Sequence, residues 1–121
     1  MIKLFVDDSH TDVVQLVLAG RLDVAGVQDI ERDVLNGVDN SSKALVLDLE
    51  KVNFISSLGI GLLLRVAKRL RASGREMVLL RPNEIIEIAL NAAWLHDILQ
   101  ISHDFDKAIE ALSSHGGDVD A

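Results

Sequence analysis

Two adjacent serines are the residues of this chain best placed to carry chemistry. Ser56 and Ser57 follow a hydrophobic run and precede Gly59, where a helical pattern begins. A hydroxyl at the start of a helix lies beside free backbone N–H groups and the positive end of the helix dipole, which together can hold a phosphate. One serine can instead be the helix N-cap, whose hydroxyl accepts a backbone N–H and contributes about 1 kcal/mol. The pattern leaves both a structural cap and a phosphorylation switch open.

Other catalytic and ligand-binding patterns are missing from the sequence. No G-x-x-x-x-G-K-[ST] or G-x-G-x-x-G motif opens a helix, and no G-x-S-x-G turn supports a Ser-His-Asp triad. There is no cysteine, and no H-x-x-x-H spacing occurs among His10, His96, His103 and His115. The carboxylates fall mostly on predicted helix faces or caps. We therefore expect no metal site, no cofactor and no enzymatic activity.

The composition is that of an ordinary globular domain. The chain has 121 residues, of which 49% are hydrophobic, and this is enough for one compact core. We expect a domain at residues 1–113 and a flexible tail at 114–121, which offers little to bury. No apolar run approaches the ~20 residues that span a bilayer. We therefore expect no signal peptide and no membrane association, and a cytoplasmic location.

Charge is distributed unevenly along the chain. The net charge is −7, yet residues 51–83 hold seven bases and one acid. Aromatic residues make up only 3% of the chain, which is too few for a platform that stacks on single-stranded nucleic acid. We expect one basic segment within an acidic protein and no direct binding of nucleic acid.

The hydrophobic pattern predicts alternating strands and helices around the serine pair. Apolar runs predict strands at residues 2–7, 12–19, 44–49, 76–80 and 98–101. Periodic apolar positions predict helices at residues 24–35, 58–72, 83–92 and 105–112. Asp23 is placed to cap the first helix. Right-handed crossovers between the later strands would place these helices on a mixed sheet, which is an α/β fold.

The helix after the serine pair has an apolar side and a mixed side. The side that should pack on the sheet contains Ile60, Leu63, Leu64, Ala67 and Leu70. The opposite side, which should face solvent, contains Leu58, Leu62, Arg65 and Arg69. An apolar pair bordered by arginines beside a possible modification site indicates a protein-docking surface. Packing under a neighbouring loop, or a solvated basic face, is the alternative.

Three segments resemble the STAS-domain family, and in particular the small bacterial anti-sigma factor antagonists. They are Gly-Arg-Leu-Asp at 20–23, Leu-Val-Leu-Asp-Leu at 45–49, and Val-Asn-Phe-Ile-Ser-Ser-Leu-Gly-Ile-Gly-Leu-Leu at 52–63. The element order matches from residue 1 to about 113. The resemblance implies a STAS-like single domain, with a mixed sheet of four to five strands and helices packed mainly on one face.

The resemblance also implies site residues. The family junction typically has Asp-Ser-Ser/Thr-Gly-Leu/Ile, and its first serine, two residues before the glycine, is phosphorylated. That spacing implies Ser57 as the acceptor. Ser56 stands where Asp is usual and is a second candidate, and Leu58 stands where Ser or Thr is usual. Asp23 resembles the family aspartate near the acceptor, and a partner contact and a helix cap are both open for it.

The implied function is partner switching. The unphosphorylated form would bind an anti-sigma factor that is also a Ser kinase, and so free a sigma factor for transcription. Phosphorylation would end binding, and a PP2C-type phosphatase would restore it. A different class of function is also open, namely a constitutive STAS accessory subunit of a lipid-transport ATPase complex, which would use the same helix face without phosphorylation.

Overall fold

The computed structural model describes residues 2–93, 95 and 98–118, and the side chains of all of these except 113–118. Strands and helices alternate as the hydrophobic pattern predicts. In chain order they are β1 (Ile2–Asp7), β2 (Val13–Leu22), α1 (Val24–Asp39), β3 (Ala44–Ile55), α2 (Ser57–Ala72), β4 (Met77–Leu80), α3 (Glu84–Ala92), β5 (Gln100–Ser102) and α4 (Phe105–Asp118).

The five strands form one mixed sheet in the spatial order β1-β2-β3-β4-β5. β1 and β2 are an antiparallel hairpin, and β2 to β5 are parallel neighbours. Parallel neighbours need crossover connections, which α1, α2 and α3 supply. The α/β fold and the mixed sheet are therefore confirmed.

Side chains of β3 alternate between two cores, because successive residues of a strand point to opposite faces. Leu45, Leu47 and Leu49 lie in the larger core with buried residues of α1, α2 and α3. Val46 lies in a smaller core under α4, with Val13 of β2. Three helices therefore cover one face and one covers the other, which confirms helices mainly on one face.

Several elements are longer than the sequence predicts. α1 continues past Asn36 and Gly37, which are weak helix formers, because Val38 in its last turn is fully buried. β3 continues past Leu49 to Ile55, because its parallel pairing with β2 extends that far. α4 continues past Leu112 to Asp118. Residues 119–121 lie outside the described residues, so the division into a domain at 1–113 and a flexible tail at 114–121 stays a prediction.

The buried face of α2 is rotated from the predicted one. The helical pattern predicts that Leu62 faces solvent, but 0% of it is exposed, and Val66 is equally buried. Ile60 and Leu64, expected on the sheet, are only half-buried. The physical reason is that α2 packs against α1 as well as against the sheet. A larger part of the helix circumference is therefore buried, and the buried part is shifted towards α1. The exposure predicted for Leu62 is wrong, and this residue belongs to the core.

Truncation of Leu62 should therefore destabilise the fold as much as truncation of Leu63. We expect Leu62→Ala and Leu63→Ala each to lower the free energy of unfolding by about 2–5 kcal/mol, since each removes buried methyl groups and leaves a cavity. Urea denaturation measures both. Leu58→Ala, at a residue that is 46% exposed, is the matched control and should cost less. A Leu62→Ala protein as stable as Leu58→Ala would contradict this assignment of faces.

Candidate functional site

The serine pair lies where two neighbouring parallel strands end together. The register pairs Arg21 with Phe54 and Leu22 with Ile55, at the carboxyl ends of β2 and β3. The backbone N–H of Ser56 then donates to the carbonyl oxygen of Leu22 at 2.9 Å. This bond places the start of α2 beside the start of α1. The carboxyl ends of parallel strands are where open α/β sheets present their binding sites.

Ser56 is the N-cap of α2. Its backbone is extended, with φ −97° and ψ 175°, and its hydroxyl oxygen accepts from the N–H of Gly59 at 3.2 Å. The same hydroxyl donates to the Leu22 carbonyl at 2.9 Å. Both hydrogen-bonding roles of a half-buried side chain are therefore used within the fold.

Ser57 is the first residue of α2, and its side chain is exposed. Within the part of the chain that the structure describes, its hydroxyl makes no hydrogen bond. The N–H groups of Gly59 and Ile60 are taken by the side chain and the carbonyl of Ser56. Those of Ser57 and Leu58 have no partner among the described residues and lie at the positive end of the helix dipole. The two serines are thus chemically different, although they are adjacent in sequence.

Gly59 allows α2 to start this close to β2. A Cβ at this position would lie 2.8 Å from the Leu22 carbonyl oxygen and 2.7 Å from the Cγ1 atom of Ile55. Both separations are too short for real side-chain carbons. A glycine is therefore required at position 59, where the first turn of α2 comes close to the end of β2.

Asp23 caps α1 beside the serine pair. Its Oδ1 atom accepts from the N–H of Gly26 at 2.8 Å, and its Oδ2 atom lies 3.2 Å from the Nε atom of Arg21. The Gly26 hydrogen bond, followed by the Arg21 hydrogen bond, lowers the pKa of this carboxyl below its ordinary value. The predicted cap is confirmed, and a partner contact by Asp23 stays a prediction.

An arginine and an aromatic ring complete the surface around Ser57, and sequence reasoning missed both. The guanidinium carbon of Arg21 lies 4.2 Å from the ring centroid of Phe54, a cation–π contact at the ends of β2 and β3. We define the Ser57 surface as the exposed residues Arg21, Val24, Phe54, Ser57 and Leu58. Arg21 and Phe54 are brought together by the pairing of β2 with β3 beyond Leu49. The local sequence pattern does not reveal this pairing, so it could not identify the two residues as neighbours.

The predicted docking surface on α2 does not form as one patch. Leu62 is buried, whereas Arg65 and Arg69 face α1. The Nη2 atom of Arg65 lies 2.6 Å from Glu31, and the Nη1 atom of Arg69 lies 2.8 Å from Asp39. Exposed pairs of this kind contribute about 0–1 kcal/mol. Leu58 alone of the predicted set joins the Ser57 surface, and partner contacts by both arginines stay predictions.

The described residues contain no group of three His, Cys, Asp or Glu side chains that could hold a metal ion. His103 instead pairs with Glu87, with 2.8 Å between its Nε2 atom and Oε1. His96 and Asp97, neighbours in sequence, lie outside the described residues.

Within the described part, no helix is both long and apolar enough to cross a bilayer.

The chain is similar to known proteins in sequence and in fold. BtrV of Bordetella bronchiseptica, described as a candidate anti-sigma factor antagonist, is 37% identical over 76 residues, which are 60% of this chain. The match spans 66% of that relative's length.

Solved structures share the fold. An anti-sigma factor antagonist from Mycobacterium paratuberculosis superposes with a TM-score of 0.83 at 22% identity, covering 93% of this chain and 95% of that one. The anti-sigma factor antagonist SpoIIAA in its unphosphorylated form gives 0.75 at 19% identity, covering 93% and 97%. Bacillus SpoIIAA in its phosphorylated form gives 0.67 at 20% identity, covering 90% and 98%.

The sequence model of the STAS domain family matches residues 6–108 of this chain, from the end of β1 into α4. The match includes both strands whose ends meet at Ser56 and the whole of the helix that Ser57 begins. With this match over most of its length, the chain belongs to the STAS domain family.

Proposed function

We propose that this STAS domain is an anti-sigma factor antagonist that works by partner switching. The unphosphorylated Ser57 surface binds an anti-sigma factor that is also a Ser kinase, and the sigma factor is released. The observation that carries the proposal is the exposed Ser57 hydroxyl at the start of α2, free of hydrogen bonds among the described residues. The similarity to BtrV and SpoIIAA, which are both described as anti-sigma factor antagonists, supports the antagonist part of the proposal. The cycle belongs to the cytoplasm, where sigma factors act.

Ser57 fits the role of acceptor better than Ser56. A kinase must reach the hydroxyl oxygen and remove its proton, and the Ser57 hydroxyl is exposed to solvent. The Ser56 hydroxyl would first have to give up its bonds to Leu22 and Gly59, which would remove the N-cap of α2. Ser56 therefore serves as the cap that presents Ser57.

A phosphate on Ser57 would be stabilised on the free protein and would oppose binding. The unpartnered N–H groups of Ser57 and Leu58 and the positive end of the α2 dipole favour a negative group there. The phosphate adds about −1.5 to −2 charge beside the exposed apolar side chains of Val24, Phe54 and Leu58. A partner that covers those side chains would have to desolvate this charge, so the complex dissociates.

Catalysis in this cycle is assigned to the partners. The kinase supplies ATP and its metal ion, and a PP2C-type phosphatase removes the phosphate. The alternative, a constitutive accessory subunit of a lipid-transport ATPase complex, would use the Ser57 surface without modification. The two functions differ in whether phosphate is transferred to the chain at all.

Phosphate should be transferred to Ser57 alone. Incubation with the cognate kinase, identified by pull-down from the native lysate, and Mg-ATP should add the mass of one phosphate. Ser57→Ala should abolish the transfer, because it removes the only free hydroxyl of the junction. Ser56→Ala should still accept phosphate, although it loses a cap worth about 1 kcal/mol.

Intact mass and peptide mapping measure this result. Phosphate mapped to Ser56, or to a site outside residues 56–57, would contradict the assignment of the acceptor. A partner that binds tightly but transfers no phosphate would favour the accessory-subunit function.

Charge at Ser57 should weaken partner binding, and loss of the hydroxyl should not. We expect Ser57→Asp to lower the affinity for the anti-sigma factor about tenfold or more, which is 1.4 kcal/mol or more. Ser57→Ala should bind like the parent, because no contact of the fold depends on the Ser57 hydroxyl. Isothermal titration calorimetry measures both.

Ser42 supplies a matched control. It is an exposed serine in the loop before β3, at the opposite end of the sheet from Ser57. Ser42→Asp adds the same charge and should leave affinity unchanged. Equal loss of binding in the Ser42→Asp and Ser57→Asp proteins would show a general effect of net charge. Failure of a folded Ser57→Ala protein to bind would show that the hydroxyl itself is a contact.

A further inference from the structure

β1 forms an edge of the sheet and carries exposed apolar side chains. Within the described part of the chain it pairs with β2 only, so its outer N–H and C=O groups face solvent. Phe5 is 55% exposed and Val6 is 56% exposed. Natural edge strands are usually protected by charges, prolines or a covering segment, because an open apolar edge invites another strand. The middle of β1 has none of these protections.

The two faces of β1 have different surroundings. Ile2 and Leu4 point towards the larger core, where α1 packs over the hairpin. The intervening residues Lys3, Phe5 and Asp7 point towards the α4 face. The core under α4 takes its strand residues from β2, β3 and β4, and Phe5 belongs to neither core. The helices therefore leave Phe5 uncovered.

The sequence of β1 is complementary to itself when two copies run antiparallel about Phe5. Residues directly opposite each other share a face in such a pair, with Cβ atoms about 5 Å apart. Lys3 of each copy then lies opposite Asp7 of the other, Leu4 lies opposite Val6, and the two Phe5 rings meet. Within residues 3–7, each cross-strand position joins opposite charges or two apolar groups. The Oδ1 atom of Asp7 accepts bonds from Ser9, which leaves Oδ2 for the lysine.

We propose that β1 pairs with β1 of a second copy of this chain, antiparallel and in the register centred on Phe5. The two sheets then become one continuous sheet, and the edge groups of β1 are satisfied by the second copy. β2 separates this edge from the end of β3, so the Ser57 surface of each copy stays accessible. The dimer is independent of the partner-switching proposal and presents two Ser57 surfaces.

The association is expected to be weak. One six-residue strand gives an interface at the small end of specific interfaces, which bury about 1,200–2,000 Å². A groove of about 600 Å³ between β1 and α1 is lined by Asp29 and Asp33. A two-fold axis through Phe5 places both copies of α1 on the same side of the joined sheet, so these carboxylates repel.

Cysteine cross-linking tests the register directly, because the chain has no cysteine of its own. Residues directly opposite in an antiparallel pair have Cα atoms about 4.5–5.5 Å apart, which suits a disulfide. Phe5→Cys places two thiols at the two-fold axis and should give a disulfide-linked dimer under mild oxidation. Lys3→Cys places its thiols four residues apart along the pair, about 13 Å, and should stay monomeric.

Sedimentation equilibrium over a concentration series tests the unmodified protein. The average mass should rise above the 13.2 kDa of one chain as concentration rises. Phe5→Lys should reduce the association at least tenfold, because two ammonium groups meet at the axis. Circular dichroism checks that this variant remains folded. A constant monomer mass up to millimolar concentration, or equal cross-linking of the Phe5→Cys and Lys3→Cys proteins, would overturn the proposal.

Discussion

The carbonyl oxygen of Leu22 is the atom on which the organisation of this site depends. It accepts two hydrogen bonds from Ser56, one from the backbone N–H and one from the hydroxyl, both at 2.9 Å. These bonds tie the last residue of β2 to the first turn of α2. Gly59 is required beside them, since a Cβ there would come within 2.8 Å of the same oxygen. The result is two adjacent serines of which one is used by the fold and the other is exposed.

The scaffold behind this junction is held by apolar burial more than by its polar contacts. Leu62 and Leu63 are fully buried in the larger core, and their packing fixes the position of α2. The ion pairs from Arg65 and Arg69 to α1 lie at the surface and add little. A charge added at Ser57 therefore meets a firmly placed helix start, and its main effect is expected at the surface that a partner would cover.

Local sequence patterns were enough for the order of the elements, the buried run at 45–49 and the cap at Asp23, because each depends on residues near in sequence. The resemblance to a family, and not spacing, singled out Ser57. The faces of α2 could not be obtained in this way, because a helical wheel with one buried side allows for one neighbouring layer, whereas α2 contacts both α1 and the sheet. The contact of Arg21 with Phe54 depends on strand pairing that continues past Glu50 and Lys51, whose charges interrupt the apolar pattern.

We propose that Ser57 carries a switch at the surface of a fold that phosphorylation leaves unchanged. Two-dimensional ¹H–¹⁵N NMR of the protein before and after phosphorylation tests it most directly. We expect shifts confined to residues around the junction, chiefly at 21–26 and 54–60, with the Ser57 and Leu58 amides moving most as they bind the phosphate. Amides of β4, β5 and α4 should stay in place. Large shifts throughout β4 and α4, or loss of the cap signature at Gly59, would contradict it.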